Sequence, residues 1–408
     1  MVEKLLDSKV AFLYIFSASI VVKILILIYL GAQTFMDGIW YIQTAEKIYQ
    51  NGFFFPSDEL KDAPLTPYFY ALLVPLAKLI GNHSYAFGNI ILATASIVVF
   101  SKISLLIFNN RTIANITALI ACFYPFLNFY SISILTETLY IFLLYTSFYY
   151  SILFIKENRL VYVALFALFF GLDTLARFSN LAMFPFFVFL IAILQYRANQ
   201  SLQRIFVTLM ISIIVFFSVM SIWWVRNYIV FGEFVATSKG ESGKVFYSGN
   251  NPKNSTGGGI GGIDVDLEQF EYIKNPVLRD KAMWDAGIQW IKEYPKDWLA
   301  LEVKKLIRFY RFTIYAEQYQ AWYYKVLSIF SYGIIFILSI YSLFRFRRQF
   351  WDYSPMLLYT FLLTGIHLVF IASVRYRLPI EPFMIILAAP VVQVLVSKVG
   401  LRFNATIR

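Results

Sequence analysis

Apolar residues recur along this chain in blocks of about 20 with almost no charge, a spacing that matches a hydrocarbon core roughly 30 Å thick. The blocks fall at 11–30, 84–108, 112–131, 134–155, 159–178, 180–196, 204–226, 322–344, 354–373 and 380–397. They predict an all-α polytopic membrane protein with about ten transmembrane helices. Two long segments break the pattern. In residues 31–83, apolar positions at Ile39, Ile42, Ala45, Ile48 and Tyr49 lie near a helical period. They predict an amphipathic helix lying in the membrane interface, halted by Asn51-Gly52 and Pro56. Residues 227–320 carry a Ser/Asn/Gly-rich stretch and then the amphipathic run YPKDWLALEVKKLIRFYRF. The predicted organisation is a first transmembrane helix (1–30), a first loop with interfacial helices (31–83), transmembrane helices two to seven (84–226), a large loop (227–320) and C-terminal transmembrane helices (321–408).

Composition agrees: 59% of the 408 residues are hydrophobic and 14% are charged, where a soluble domain carries about 25% charged. The first apolar run is too long for a signal-peptide core and lacks a small-residue cleavage site, so it reads as a retained signal anchor. The net charge of +11 resides mostly in short loops, which points to membrane topology and away from nucleic acid. Arg111, Lys156, Arg159, Arg197, Arg204, Arg345, Arg347, Arg348, Lys398 and Arg402 all fall on one side if the N-terminus is cytoplasmic. Both long segments are then extracytoplasmic. The single cysteine, Cys122, excludes an intrachain disulfide, and two histidines, His83 and His367, offer little to a His-based metal site. The run from Ser255 to Gly262 has no phosphate-loop pattern and reads as a flexible loop. Asn254-Ser-Thr256 is a glycosylation sequon of little weight.

Charges that defy this topology carry the chemistry. A charge at the bilayer centre costs about 2.5–3.5 kcal/mol on insertion scales and therefore tends to have a partner or a role. Asp37, Glu137, Asp173, Arg177, Arg226, Arg375 and Arg377 all come out near the extracytoplasmic surface, from five regions of the chain. Each has a plainer reading. Asp37 suits a helix N-cap, Glu137 a dipole-stabilised helix start, and Asp173 with Arg177 an i, i+4 ion pair. Arg226 could snorkel beside Trp223 and Trp224. Arginines facing outward against the loop-charge rule nevertheless suggest a bound anion, and a lipid phosphate or pyrophosphate suits guanidinium forks.

These residues resemble the motifs of GT-C fold glycosyltransferases, in the superfamily of dolichyl-phosphate-mannose protein mannosyltransferases and aminoarabinose–lipid A transferases. Asp37-Gly-Ile-Trp-Tyr41 is similar to the first-loop Asp-x-x-x-Tyr signature, and AlaProLeuThrProTyr at 63–68 to the proline-rich stretch after it. Thr136-Glu137-Thr-Leu-Tyr140 resembles the Ser/Thr-Glu-x-Leu element, and Arg177 falls where an arginine often ends the matching span. TrpTrpValArgAsnTyr at 223–228 and TyrSerGlyAsnAsnPro at 247–252 resemble pieces of the large outer loop, and Arg375-Tyr-Arg-Leu-Pro379 the closing motif. The chain departs in having Asp-Gly where the protein mannosyltransferases have Asp-Glu. The resemblance implies transfer of a sugar from a polyprenyl-phosphate-linked donor to a lipid, glycan or protein hydroxyl at the extracytoplasmic face, in a bacterial or archaeal cell membrane. It implies Asp37 as catalytic base, worth on the order of 10²–10⁴ in rate. Arg375 and Arg377, then Arg226 and Arg177, with Lys305 or Arg308, are the implied donor-phosphate residues. Glu137 is implied as an acceptor-side or supporting group and Tyr41 as an orienting one. No dedicated metal site is expected, although Asp37 and Glu137 could share a divalent ion. Two other classes compete: a transporter or flippase of a polyprenyl-linked glycan, which would need a polar path deep in the bundle, and a non-catalytic scaffold, which would give the charges no reason to gather.

Overall fold

The structure, a computed structural model, describes residues 7–52, 63–232, 234–237, 241–259, 263–314 and 319–406. In chain order the helices are α1 (Lys9–Leu30), α2 (Met36–Asn51), α3 (Leu65–Ala71), α4 (Val74–Ile80), α5 (His83–Phe108), α6 (Arg111–Phe123) and α7 (Pro125–Ser131). There follow α8 (Glu137–Glu157), α9 (Leu160–Ala176), α10 (Ser179–Arg197), α11 (Leu202–Phe231), α12 (Ser242–Gly249), α13 (Pro276–Glu293) and α14 (Pro295–Phe309). The last three are α15 (Trp322–Arg345), α16 (Phe350–Val369) and α17 (Val374–Ser397). Helices satisfy their own backbone, which is what a chain in hydrocarbon requires.

Every predicted span has a helical counterpart. Among the described residues seven are long and apolar enough to cross a membrane, or eight if a bent pair counts as one span. The remaining two are α9, of 17 residues, and α16, of 20, both packed within the bundle. The expected continuous span at 112–131 is corrected to α6 and α7, which meet at an angle of 59°. Proline is the cause. Pro125 has no N–H to donate and forces the preceding residue out of the helical region, so Tyr124 sits at φ −70°, ψ 116°. The halt of α2 at Gly52 is described; Pro56 lies outside the described residues.

The core is unusually aromatic. Phe184 and Phe216 stack at 3.7 Å between ring centroids, and Phe170 lies 4.9 Å from Phe187. Gly171 lets α9 approach α11: a Cβ there would meet Val219 at 3.0 Å. The basic loop residues gather at one end of the bundle, where Lys156 pairs with Asp352 at 2.9 Å, Arg197 covers Trp351 and Arg204 donates to the Asn158 carbonyl at 2.7 Å. The acidic start of α8, Glu137, is at the other end.

Candidate functional site

Between α1 and α2 the chain runs beside the segment that leads into α8. Gln33 bridges Ser133 in parallel register: Gln33 N–H donates to the Ile132 carbonyl at 3.0 Å and Ile134 N–H to the Gln33 carbonyl at 2.9 Å. The partner segment is itself pinned, because Asn89 Nδ2 donates to the Ser133 carbonyl at 2.7 Å and Tyr70 Oη to the Leu135 carbonyl at 3.0 Å. Gly38 then packs on Ile134 so closely that a Cβ would stand 2.5 Å from its carbonyl oxygen. The glycine of the Asp-Gly pair therefore has a local reason: it allows α2 to lie against this segment. Asp37 and Glu137 are thereby brought to one place. Phe35, and not Asp37, is the N-cap of α2; Asp37 stands in its first turn.

Arg375, from the start of α17, lies between the two carboxylates. Its Nη1 donates to Asp37 Oδ2 at 3.0 Å and its Nε to Glu137 Oε1. The environments differ sharply: the Glu137 side chain is wholly buried and that of Asp37 is 54% exposed. Arg177 approaches the same Glu137 oxygen at 4.0 Å. The predicted Asp173–Arg177 ion pair is corrected. Arg177 is the extended C-cap of α9, which turns its side chain away along Tyr140 and Tyr376, while Asp173 accepts from Asn180 Nδ2 at 2.6 Å. Between Asp37 and Glu137, the carboxylates that could in principle share a divalent ion, stands the Arg375 guanidinium. Among the described residues no group of three His, Cys, Asp or Glu side chains could hold a metal.

Asp37 and Arg375 border a cavity of about 990 Å³. Its lining combines apolar and charged groups. Val22, Ile26 and Leu30, four residues apart on one face of α1, make an apolar strip continued by Phe126 of α7 and Leu327 of α15. Opposite chemistry is supplied by Asp37, Arg375, Arg308 and Arg311. Arg311 was missed in the sequence; it lies just past the end of α14, two residues after Phe309. The glycine run is corrected from a flexible loop to a packed one as far as Gly259. A Cβ at Gly258 would meet the Arg308 guanidinium at 2.5 Å, Gly257 lies on Lys305, and Thr256 donates to Asp264. Gly258 and Gly259 line the cavity, and residues 260–262 lie outside the described residues. Asn254 of the sequon is buried and bonded within this loop.

Other expected site residues lie elsewhere. Arg377 does not face the cavity: two residues along a helical turn rotate it about 200° from Arg375, into a fully buried pair with Glu381. Lys305 is likewise buried, donating to Asn250 Oδ1 at 3.1 Å, Glu302 Oε1 at 2.7 Å and the Leu368 carbonyl at 2.7 Å. Burial holds its ammonium below the ordinary lysine range, an effect Glu302 opposes. Arg226 lies over Trp223 and donates to Asn227, in a motif that secures the chain leaving α11: Trp224 Nε1 donates to the Ala236 carbonyl at 3.0 Å and Asn227 Nδ2 to that of Val235 at 2.8 Å. Tyr41 is on the buried face of α2, packed with Tyr70 and Tyr85, and does not line the cavity. Lys23, a charge inside the first apolar run, was also overlooked; it is buried and donates to Ser19 Oγ at 2.6 Å.

No protein-family model matches this sequence, and no curated protein does. Among solved structures the chain is similar to the archaeal oligosaccharyltransferase AglB from Archaeoglobus fulgidus in complex with an inhibitory peptide and a dolichol-phosphate. That match has a TM-score of 0.53 and 11% identity and covers 96% of this chain and 51% of the other. The apo form of the Archaeoglobus fulgidus oligosaccharyltransferase gives 0.55 and 12%, covering 97% and 51%. This chain thus spans about half the length of the structures it matches. The likeness is one of fold, and the fold is the GT-C fold.

Proposed function

We propose that this protein is an inverting glycosyltransferase that takes a sugar from a polyprenyl-phosphate-linked donor and passes it to an acceptor hydroxyl at the extracytoplasmic membrane face. The observation that carries the reading is the meeting of Asp37 and Arg375, 338 residues apart in sequence and 3.0 Å apart in space, on the wall of a cavity lined both by an apolar face of α1 and by Arg308, Arg311 and Arg375. A prenyl phosphate combines the same two chemistries. The AglB structure with dolichol-phosphate is of a protein with this fold, and the placement of the basic loops at the opposite end of the bundle supports the orientation.

In the reaction, Asp37 accepts the proton of the acceptor hydroxyl as its oxygen attacks the anomeric carbon. The bond from that carbon to the phosphate oxygen breaks, and its electron pair stays on the departing lipid phosphate. Arg375, Arg308 and Arg311 oppose the charge that grows there; one such donor is worth on the order of 10²–10³ in rate. The donor competes only for the exposed arm of Arg375, since the Glu137 arm is buried. Glu137 holds Arg375 from behind, and Arg177 stands 4.0 Å from the same Glu137 oxygen. The test compares envelope lipids and glycans by mass spectrometry in a deletion strain carrying the native gene or Asp37→Asn. The native gene should restore a missing sugar and the variant, though expressed and folded, should not. Restoration by the variant would remove Asp37 as the base.

A further inference from the structure

One pair of charges beside the cavity touches neither the cavity nor the proposed chemistry. Arg377 and Glu381 are both completely buried, with Nε donating to Oε1 at 2.8 Å. Arg377 Nη1 donates to two backbone carbonyls, of Phe309 at 3.2 Å and of Arg311 at 2.6 Å. Its guanidinium lies 3.4 Å from the ring centre of Tyr332, which occupies a π-helical turn over Ile329–Gly333. The second Glu381 oxygen accepts from Tyr124 Oη at 2.8 Å, and Tyr124 is the residue at the bend between α6 and α7.

The carbonyls that Arg377 binds are not arbitrary ones. α14 ends at Phe309, so the Phe309 carbonyl is one of the last that a helix leaves without intrahelical partners, in the turn where a cation is favoured, and the Arg311 carbonyl lies just past the Tyr310 C-cap. Arg308 and Arg311, the two cavity-lining arginines of this segment, flank the carbonyl of Phe309. On the other side, Phe123 and Pro125, the neighbours of Tyr124, line the cavity too. One ion pair therefore ties the segment that bears Arg308 and Arg311 to the bend between α6 and α7.

We propose that Arg377 and Glu381 form a positioning latch for the lipid-phosphate site, setting the direction in which Arg308 and Arg311 meet the phosphate while touching no part of the ligand. That the ligand is a prenyl phosphate rests on the function proposed above. Net stability is a poor reason for such a pair, because well-packed apolar residues of similar volume often serve as well in a buried place. Geometry is a better one. A planar guanidinium holds its bonds to a carboxylate and two carbonyls in directions set by one rigid fork, whereas the three donors of an ammonium turn freely about its stem.

The test uses the full-length protein in detergent, comparing the native chain with Arg377→Met/Glu381→Leu, which removes both charges together, and Arg377→Lys, which keeps the ion pair and loses the fork. Hydrogen exchange is followed in the peptide covering residues 309–314, and binding of farnesyl phosphate is measured by calorimetry. With its melting temperature close to that of the native protein, the double variant should exchange faster in that peptide and bind farnesyl phosphate at least tenfold more weakly, with Arg377→Lys between the two. Unchanged exchange, or native binding by a folded double variant, overturns the latch. Faster exchange in a protein whose native form does not bind farnesyl phosphate leaves the latch standing and sinks the lipid-phosphate reading instead. If the double variant does not fold, Arg377→Lys carries both measurements with the same outcomes.

Discussion

Two carboxylates share one guanidinium at this site, and the same chemical change should affect them in opposite ways. Replacing a carboxylate by its amide keeps shape and removes charge. At Glu137 the side chain is fully buried against Arg375 and near Arg177, whose side chains are 28% and 18% exposed. Truncating one partner of a buried pair costs about 3–5 kcal/mol, and the partial exposure of both arginines places Glu137→Gln at the lower end, about 3 kcal/mol. At Asp37 the partners are 28% and 54% exposed, a surface-type pair worth about 1 kcal/mol or less. Asp37→Asn should therefore melt nearly as the native protein does while losing on the order of 10²–10⁴ in turnover. Glu137→Gln should lose stability first. Denaturant unfolding of the two detergent-purified variants, beside a sugar-transfer assay, reads both quantities. Equal destabilisation by the two amides would refute the assignment of buried and exposed arms, and an active Asp37→Asn would refute the chemistry.

Other consequences are more local. Arg311→Gln removes one cation from the cavity wall and should lower turnover by about 10² with little change in melting temperature, since that wall is solvent-accessible. Gly38→Ala puts a methyl group 2.5 Å from the Ile134 carbonyl oxygen, so α2 must shift; a loss of about 1–3 kcal/mol in denaturant unfolding is expected, together with weaker transfer because Asp37 moves with the helix. Ile26→Trp fills the apolar part of the cavity and should raise KM for a long-chain prenyl donor more than for a short-chain one, measured with donors of two chain lengths.

The helices were legible because their cause is local. Runs of apolar residues bury themselves in lipid, and a backbone in lipid has to bond to itself, so length and hydropathy suffice to place α1, α5, α8 and α11. The break at Pro125 is equally local, yet the apolar run through 112–131 concealed it. Candidate chemistry was half legible, since a charge in an apolar run advertises itself by its cost. That singled out Asp37, Glu137 and Arg375 along with Arg226 and Arg377, and nothing within either group distinguishes it from the other by sequence.

What separated them was the tertiary structure. Arg375 and Arg377 are the same residue type two positions apart, and a rotation of about 200° along the helix sends one to Asp37 and the other to Glu381. Arg177 takes its partner from another helix and not from its own preceding turn, because α9 ends there. Gly38 matters only because the chain near Gln33 runs beside Ser133, a pairing no local pattern encodes. The sequence by itself thus determined which segments enter the membrane and which side chains are too costly there to be idle. The packing of distant segments decided which of those side chains face a common cavity and which are consumed as partners in its walls, because a charge chooses its partner by distance in space and not by spacing along the chain.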